Sequence, residues 1–141
     1  MKLISLDGRE STVADEAFQK LRAAFKGPVV LPDDPAYDAL QHLWNAMIDR
    51  RPGVILRCLG TSDVMAAVKF VGDHGLLSTV RSGGHNIAGL AVCDGGVMID
   101  LSLMRGVFVD RERRIAHAQA GCTLGDVDRE TQLHGLATVL G

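Results

Sequence analysis

The stretch Arg81-Ser82-Gly83-Gly84-His85-Asn86 holds the residue types in this sequence best suited to chemistry. Two adjacent glycines let a backbone turn through conformations closed to other residues and let a ligand approach closely. Successive N–H groups in such a turn form a nest for phosphate or another anion. His85 adds an imidazole, a competent nucleophile near neutral pH. The loop follows Leu76–Val80, an apolar run of strand type, and ligands of α/β sheets usually bind at the carboxyl ends of strands. On spacing alone the pair is more often the mark of a plain turn, with His85 bonded to backbone. Arg81 has two readings: its guanidinium pairs with an anionic ligand, or it holds the loop through carbonyls. Asn86 suits a local backbone bond within the turn.

Other reactive residue types are scattered. His42, His74, His117 and His134 lack ligand spacing with a third donor nearby, so no metal site is expected. Cys58, Cys93 and Cys122 are far apart and odd in number, against a disulfide framework or zinc knuckle. Each reads as a small apolar filler. Asp126 and Asp128 are too close to share one helix face. One is expected to cap the helix and the other to face solvent. Asp100 with Ser102 reads as an anchor at a strand end in preference to a ligand contact.

The elements that must position the loop follow from periodicity. Thr12–Lys26 predicts an amphipathic helix, with Ala14, Phe18, Leu21 and Phe25 recurring on one face. Ser11 or Thr12 can cap it, and Gly27-Pro28 stops it. Val29–Leu31 reads as a short strand. Tyr37–Ile48, with Leu40, Leu43, Trp44 and Met47, suggests a second helix or an irregular turn. Val54–Cys58 is a buried-type strand. A helix from Asp63 to His74, started by Thr61-Ser62-Asp63, carries Val64, Ala67, Val68 and Val71 on one side and ends at Gly75. Strand, helix and strand in about thirty residues predict a parallel pair.

After Gly89 the runs Val97–Leu101, Val107–Asp110 and Ile115–Ala120 suit antiparallel meander pieces. Arg111–Arg114 is expected to be a solvated turn. Leu124–Leu133 reads as helical, with Thr123 as cap and Gly135 as stop. The expected fold class is α+β: a small α/β subdomain with a parallel sheet and flanking helices, then the start of an antiparallel α+β subdomain. The divisions are a helical segment over residues 1–26, a first subdomain over 27–105 and an incomplete second one over 106–141.

Composition narrows the function classes. The chain has 141 residues, 47% apolar and 23% charged, enough for a core. Its 15 Lys and Arg against 17 Asp and Glu give a net charge of -2, without the basic stripe of a nucleic-acid binder. No apolar run approaches the roughly 20 residues that span a bilayer. Met1–Glu10 lacks the apolar middle of a secretion signal, so no membrane association and a cytoplasmic location are expected.

Several ordered stretches carry a resemblance. The loop RSGGHN resembles the flavin loop of FAD-linked oxidases of the vanillyl-alcohol oxidase and p-cresol methylhydroxylase superfamily, and within it the berberine bridge enzyme-like oxidoreductases. AGLAVCDGGVMIDLS (Ala88–Ser102), VDRERRIAHAQAG (Val109–Gly121) and GDVDRETQLHGLA (Gly125–Ala137) follow in the family's order, and DVMAAVKFVGDHG (Asp63–Gly75) resembles the helix before the loop. The similarity runs from about Pro52 to the end, with weaker support back to Gly27.

The resemblance implies FAD as cofactor and a fold of the FAD-binding type found in p-cresol methylhydroxylase. The amides of Ser82, Gly83, Gly84 and His85 are implied to wrap the pyrophosphate. The histidine at the position of His85 commonly bonds the 8α-methyl carbon of the isoalloxazine. On the ligand reading of Arg81 its partner is a pyrophosphate oxygen or the flavin pyrimidine side, with the loop-holding reading still open, and Gly89 is implied where the chain passes the cofactor. The family's second attachment cysteine lies beyond the HGLA stretch, so Cys122 is not that site. The family pattern continues past Gly141 with another glycine-rich stretch and a substrate domain, so the chain is expected to be a truncated portion, a split gene product or a degenerate relative, inactive alone. The parent is expected to oxidise an alcohol, sugar or amine-type substrate by hydride transfer to flavin. The alternative is a non-catalytic flavin-binding or assembly fragment. An unfinished antiparallel sheet is expected to self-associate or bind a complementary segment.

Overall fold

A computed structural model describes residues 1–139. The N-terminal segment is not helical throughout. β1 (Lys2–Ile4) and β2 (Glu10–Thr12) form an antiparallel hairpin ahead of α1 (Asp15–Ala24). Ser11 and Thr12 pair with β1 and do not cap the helix, whose N-cap Ala14 makes no side-chain hydrogen bond. Phe18, Leu21 and Phe25 are buried, as their spacing predicts.

A four-stranded sheet forms the centre. It contains β3 (Val29–Val30), β4 (Val54–Arg57), β5 (Ser78–Arg81) and β6 (Val97–Asp100), in the order β3-β4-β6-β5. β4 and β5 both run parallel to β6, whereas β3 is antiparallel to β4. The sheet is therefore mixed. Val97–Asp100, expected as a meander strand, is instead a central parallel strand filling the gap that the β4-to-β5 crossover leaves open. Its four buried residues explain the placement, because strands buried on both faces belong inside a parallel sheet.

Alternation along β4 and β6 divides the core. Val54, Leu56, Val97 and Ile99 face a cluster with Phe18, Leu21, Phe25, Ala67 and Phe70. Ile55 and Met98 face the opposite cluster, with Val30, Tyr37, Leu43, Ala91 and Val92. Fully burying a side chain of this size contributes about 1.5–3 kcal/mol. Helix α3 (Thr61–Asp73) buries Ala67 and Phe70, while Val68, expected on that face, is exposed. At about 100° per residue it turns away from Ala67. Asp63 is buried because its carboxylate accepts the N–H groups of Lys26 at 2.8 Å, Gly27 at 3.2 Å and Leu59 at 2.9 Å, closing the Gly27-Pro28 turn.

The second helix is short: α2 (Tyr37–Gln41) gives way to an irregular segment, residues 42–51. Leu43 reaches the core, but Trp44 is 79% and Met47 90% exposed. The buried Tyr37 hydroxyl donates to the Pro52 carbonyl at 2.6 Å, tying the two ends of this excursion together.

β7 (Val107–Asp110) and β8 (Ile115–Ala118) form a separate antiparallel hairpin across the exposed turn Arg111–Arg114, followed by α4 (Leu124–Gln132). No helix among the described residues is long and apolar enough to cross a membrane.

Candidate functional site

β5 ends at Arg81, whose carbonyl accepts the Leu101 N–H at 2.8 Å. There the ladder stops. Among the described residues, none of the N–H groups of Ser82, Gly83, Gly84, His85 and Asn86 has a protein acceptor. Gly84 sits at φ +73°, a left-handed conformation that strains other residues. It is buried, and a Cβ there would sit 3.5 Å from Leu43. The Ser82 hydroxyl donates to the Ala120 carbonyl. Asn86 Oδ1 accepts the Leu90 N–H at 3.0 Å, the local role its type suggests.

A strap holds the loop from behind. Arg81 Nη1 donates to the Leu40 carbonyl. The Trp44 N–H donates to the Gly84 carbonyl at 3.2 Å, and Asn45 Nδ2 to the Ile87 carbonyl at 3.3 Å. Arg50 Nη1 reaches the carbonyls of Gly89 at 3.3 Å and Val92 at 3.2 Å. Gly89, at φ +71°, lies against Ile48, whose carbons would be 2.8 Å from any Cβ. The indole of Trp44 stacks on the His85 ring, with centroids 5.2 Å apart and planes at 23°.

The N-terminus of α4 faces this loop across a cleft of about 840 Å³, lined by Val80, Ser82–Asn86, Ala91 and Cys122–Gly125. The first N–H groups of a helix have no intrahelical acceptor, and Leu124 and Gly125, which carry them here, both line the cleft. Thr123 and Asp126 form a capping box: the Thr123 N–H donates to Asp126 Oδ2 at 2.8 Å, and the Asp126 N–H to Thr123 Oγ1 at 3.3 Å. Arg105 clamps the same carboxylate with Nε at 2.8 Å and Nη2 at 2.9 Å. The Thr123 N–H first, and the Arg105 guanidinium second, pull the Asp126 carboxyl down to about 2. No carboxylate lines the cleft among the described residues.

The predicted residues separate into two groups. Ser82, Gly83, Gly84, His85 and Asn86 line the cleft together. Arg81 and Gly89 do not, and both meet the strap instead. Asp100 is an anchor: fully buried, it takes Arg57 Nε at 2.9 Å and the Ser102 N–H at 2.9 Å. Burial pushes the Cys58 thiol up to about 12 and raises that of Cys93. Cys122 is half-buried on the cleft wall.

Sequence reasoning missed the strap and the cleft role of Cys122–Gly125. The signal for the second was present, since a Thr123 cap implies a helix N-terminus with unpaired N–H groups. The strap acts largely through backbone carbonyls and amides, which residue types do not announce.

Residues 52–140 match the family model described as FAD binding domain. (R)-6-hydroxynicotine oxidase of Paenarthrobacter nicotinovorans is 40% identical over 118 residues, covering 84% of this chain and 26% of that protein. Berberine bridge enzyme-like 18 of Arabidopsis thaliana is 35% identical over 79 residues, 55% of this chain and 15% of that protein. The crystal structure of 6-hydroxy-D-nicotine oxidase from Arthrobacter nicotinovorans superposes with a TM-score of 0.81 at 37% identity, covering 92% of this chain and 27% of that one. The chain thus spans about a quarter or less of the length of these relatives.

Proposed function

Since the chain belongs to the family of FAD binding domains, and its cofactor is FAD, we propose that the diphosphate of FAD lies in the cleft between the Ser82–Asn86 loop and the N-terminus of α4. The observation that carries this is the run of five loop N–H groups that have no protein acceptor among the described residues, on residues lining a cleft where none of the described carboxylates lies. Unpaired amides at a cleft wall favour an anion, and a helix N-terminus adds the positive end of its dipole. Asp126, the nearest acid at that terminus, is held by Arg105 and the Thr123 N–H and therefore does not oppose a phosphate. The residues fit the group. In this reading Arg81 and Gly89 serve the cofactor indirectly, by fixing the loop to the strap.

His85 is the proposed attachment point. Its ring is exposed and lines the cleft beside the loop amides. A rigid turn supplies the positioning that bond formation at an imidazole nitrogen requires. In that role His85 would give up its imidazole N–H proton and supply the ring nitrogen for one N–C bond to the flavin's 8α-methyl carbon, which would lose a C–H; the bound flavin would supply the two-electron acceptor, with molecular oxygen as the final oxidant. Bound FAD supplies hydride acceptance, and the protein supplies placement and electrostatics.

For the whole protein we propose oxidation of an alcohol, sugar or amine-type substrate; the nicotine oxidase relatives support the amine class. Residues 27–105 and 106–141 then stand as a first subdomain and the opening of a second, with the cofactor between them. The wholly exposed strand Ile115–Ala118 supports association with a second copy or a complementary segment, which sedimentation over a range of concentrations tests.

The decisive experiment is incubation with FAD, acid precipitation and measurement of flavin in the washed pellet. Flavin in the wild-type pellet and its loss in His85→Ala support covalent attachment. Flavin released entirely to the supernatant, after binding, refutes attachment while retaining the binding site. No binding refutes the site.

A further inference from the structure

We propose that Trp44 is the positioning residue for His85, holding the imidazole in one orientation at the edge of the cleft. The inference rests on the reading of His85 as the flavin attachment point, but its first consequence concerns the chain alone.

His85 is on a glycine-flanked loop and exposed, a situation in which a side chain ordinarily samples several rotamers. Two contacts restrict it. The indole of Trp44 covers one face, at a centroid distance and tilt within the range of favourable offset stacking. The Cδ2–Nε2 edge lies against Gly83, where an added Cβ would stand 3.2 Å from Cδ2 and 3.9 Å from Nε2. Gly83 has a steric role here: a Cβ at this position requires the ring to shift by a few tenths of an ångström.

Trp44 is itself placed by its neighbours. Leu43, one residue earlier, is buried behind Gly84. The Trp44 N–H bonds the Gly84 carbonyl, and Asn45 bonds the Ile87 carbonyl and accepts the Met47 N–H at 3.1 Å. The backbone on both sides of the indole is therefore tied to the loop that carries His85. An exposed tryptophan contributes little to the core, and this one spends its contact on the imidazole. His85 also lines a second cleft of about 510 Å³ with Trp44, Met47 and Ile87. Among the described residues, the titratable side chain lining either cleft besides His85 is Cys122.

The test uses Trp44→Ala, Trp44→Phe and Gly83→Ala, each checked for wild-type far-UV circular dichroism. In the chain without FAD, the His85 ring protons are expected upfield in NMR spectra, shifted by the indole ring current. Trp44→Ala removes that shift, Trp44→Phe keeps part of it, and Gly83→Ala reduces it with the indole intact. With FAD, covalent incorporation in Trp44→Ala is expected to slow about 10- to 100-fold, while the Kd for FAD stays within about threefold. Trp44→Phe should recover most of the rate. His85 shifts identical in wild type and Trp44→Ala overturn the proposal, as does incorporation at the wild-type rate in that variant. If wild-type protein binds FAD without linking it, the attachment reading fails, and the ring-current result alone decides whether Trp44 positions His85.

Discussion

β6 and β8 each contribute four residues, yet all four of Val97–Asp100 are buried and all four of Ile115–Ala118 are exposed. In the four-stranded sheet β4 and β6 are covered on both faces and carry the core. The hairpin with α4 is held by a handful of ties: the Arg105–Asp126 clamp, the Ser82 hydroxyl on the Ala120 carbonyl, and the close packing of Gly121 on the Leu101 carbonyl. The cleft uses one wall from each region. The wall from the sheet region presents the loop and imidazole, and the wall from the hairpin region presents a helix N-terminus.

Four perturbations sharpen that contrast, in falling order of expected effect. Thiol labelling of native protein at pH 8 should modify Cys122 and spare Cys58, whose thiolate fraction is about one in ten thousand with its thiol near 12. Mass spectrometry after alkylation reads the outcome, and FAD should slow labelling of Cys122. Equal labelling would mean that the sheet region opens as readily as the cleft wall.

Asp100→Ala leaves Arg57 without its buried partner and the Ser102 N–H without an acceptor. A loss of about 3–5 kcal/mol is expected in denaturant unfolding, because this pair ties the carboxyl ends of β4 and β6. Thr123→Ala should cost about 1 kcal/mol as a lost N-cap. Hydrogen exchange should show faster opening in α4 with β4 and β6 unchanged.

The smallest effect is in acid. The Asp126 carboxyl is lowered to about 2 by the Thr123 N–H and then Arg105. A depressed carboxylate adds stability that is complete above its ordinary range near 4 and is lost as pH falls through about 2. Amides of α4 should lose protection over that window, followed by NMR. Loss beginning above pH 5 would assign the effect to another group.

Much of this was legible in the residues. Gly83-Gly84-His85 after an apolar run marks a turn that can take a ligand, and it is the order of the RSGGHN, Ala88–Ser102 and later stretches that separates a cleft loop from a plain turn. Phe18, Leu21 and Phe25 give the buried face of α1 because helical periodicity is local. Other features depend on nonlocal order. Nothing in Val97–Asp100 says which strands flank it, so its place between β4 and β5 comes only from the assembled sheet. The first hairpin hides in three-residue strands such as Glu10-Ser11-Thr12, too short and polar to show alternation. Leu40, Leu43, Trp44 and Met47 imitate a helical stripe, whereas two of them face outward and the backbone between them grips a loop forty residues away.

The most direct test is a residue-resolved NMR titration of the chain with FAD. The amide signals of Ser82, Gly83, Gly84, His85 and Asn86 should move together with those of Leu124 and Gly125, while β4 and β6 stay still. Saturable FAD binding that leaves the loop amides unmoved, with its largest shifts elsewhere, would contradict the placement of the diphosphate.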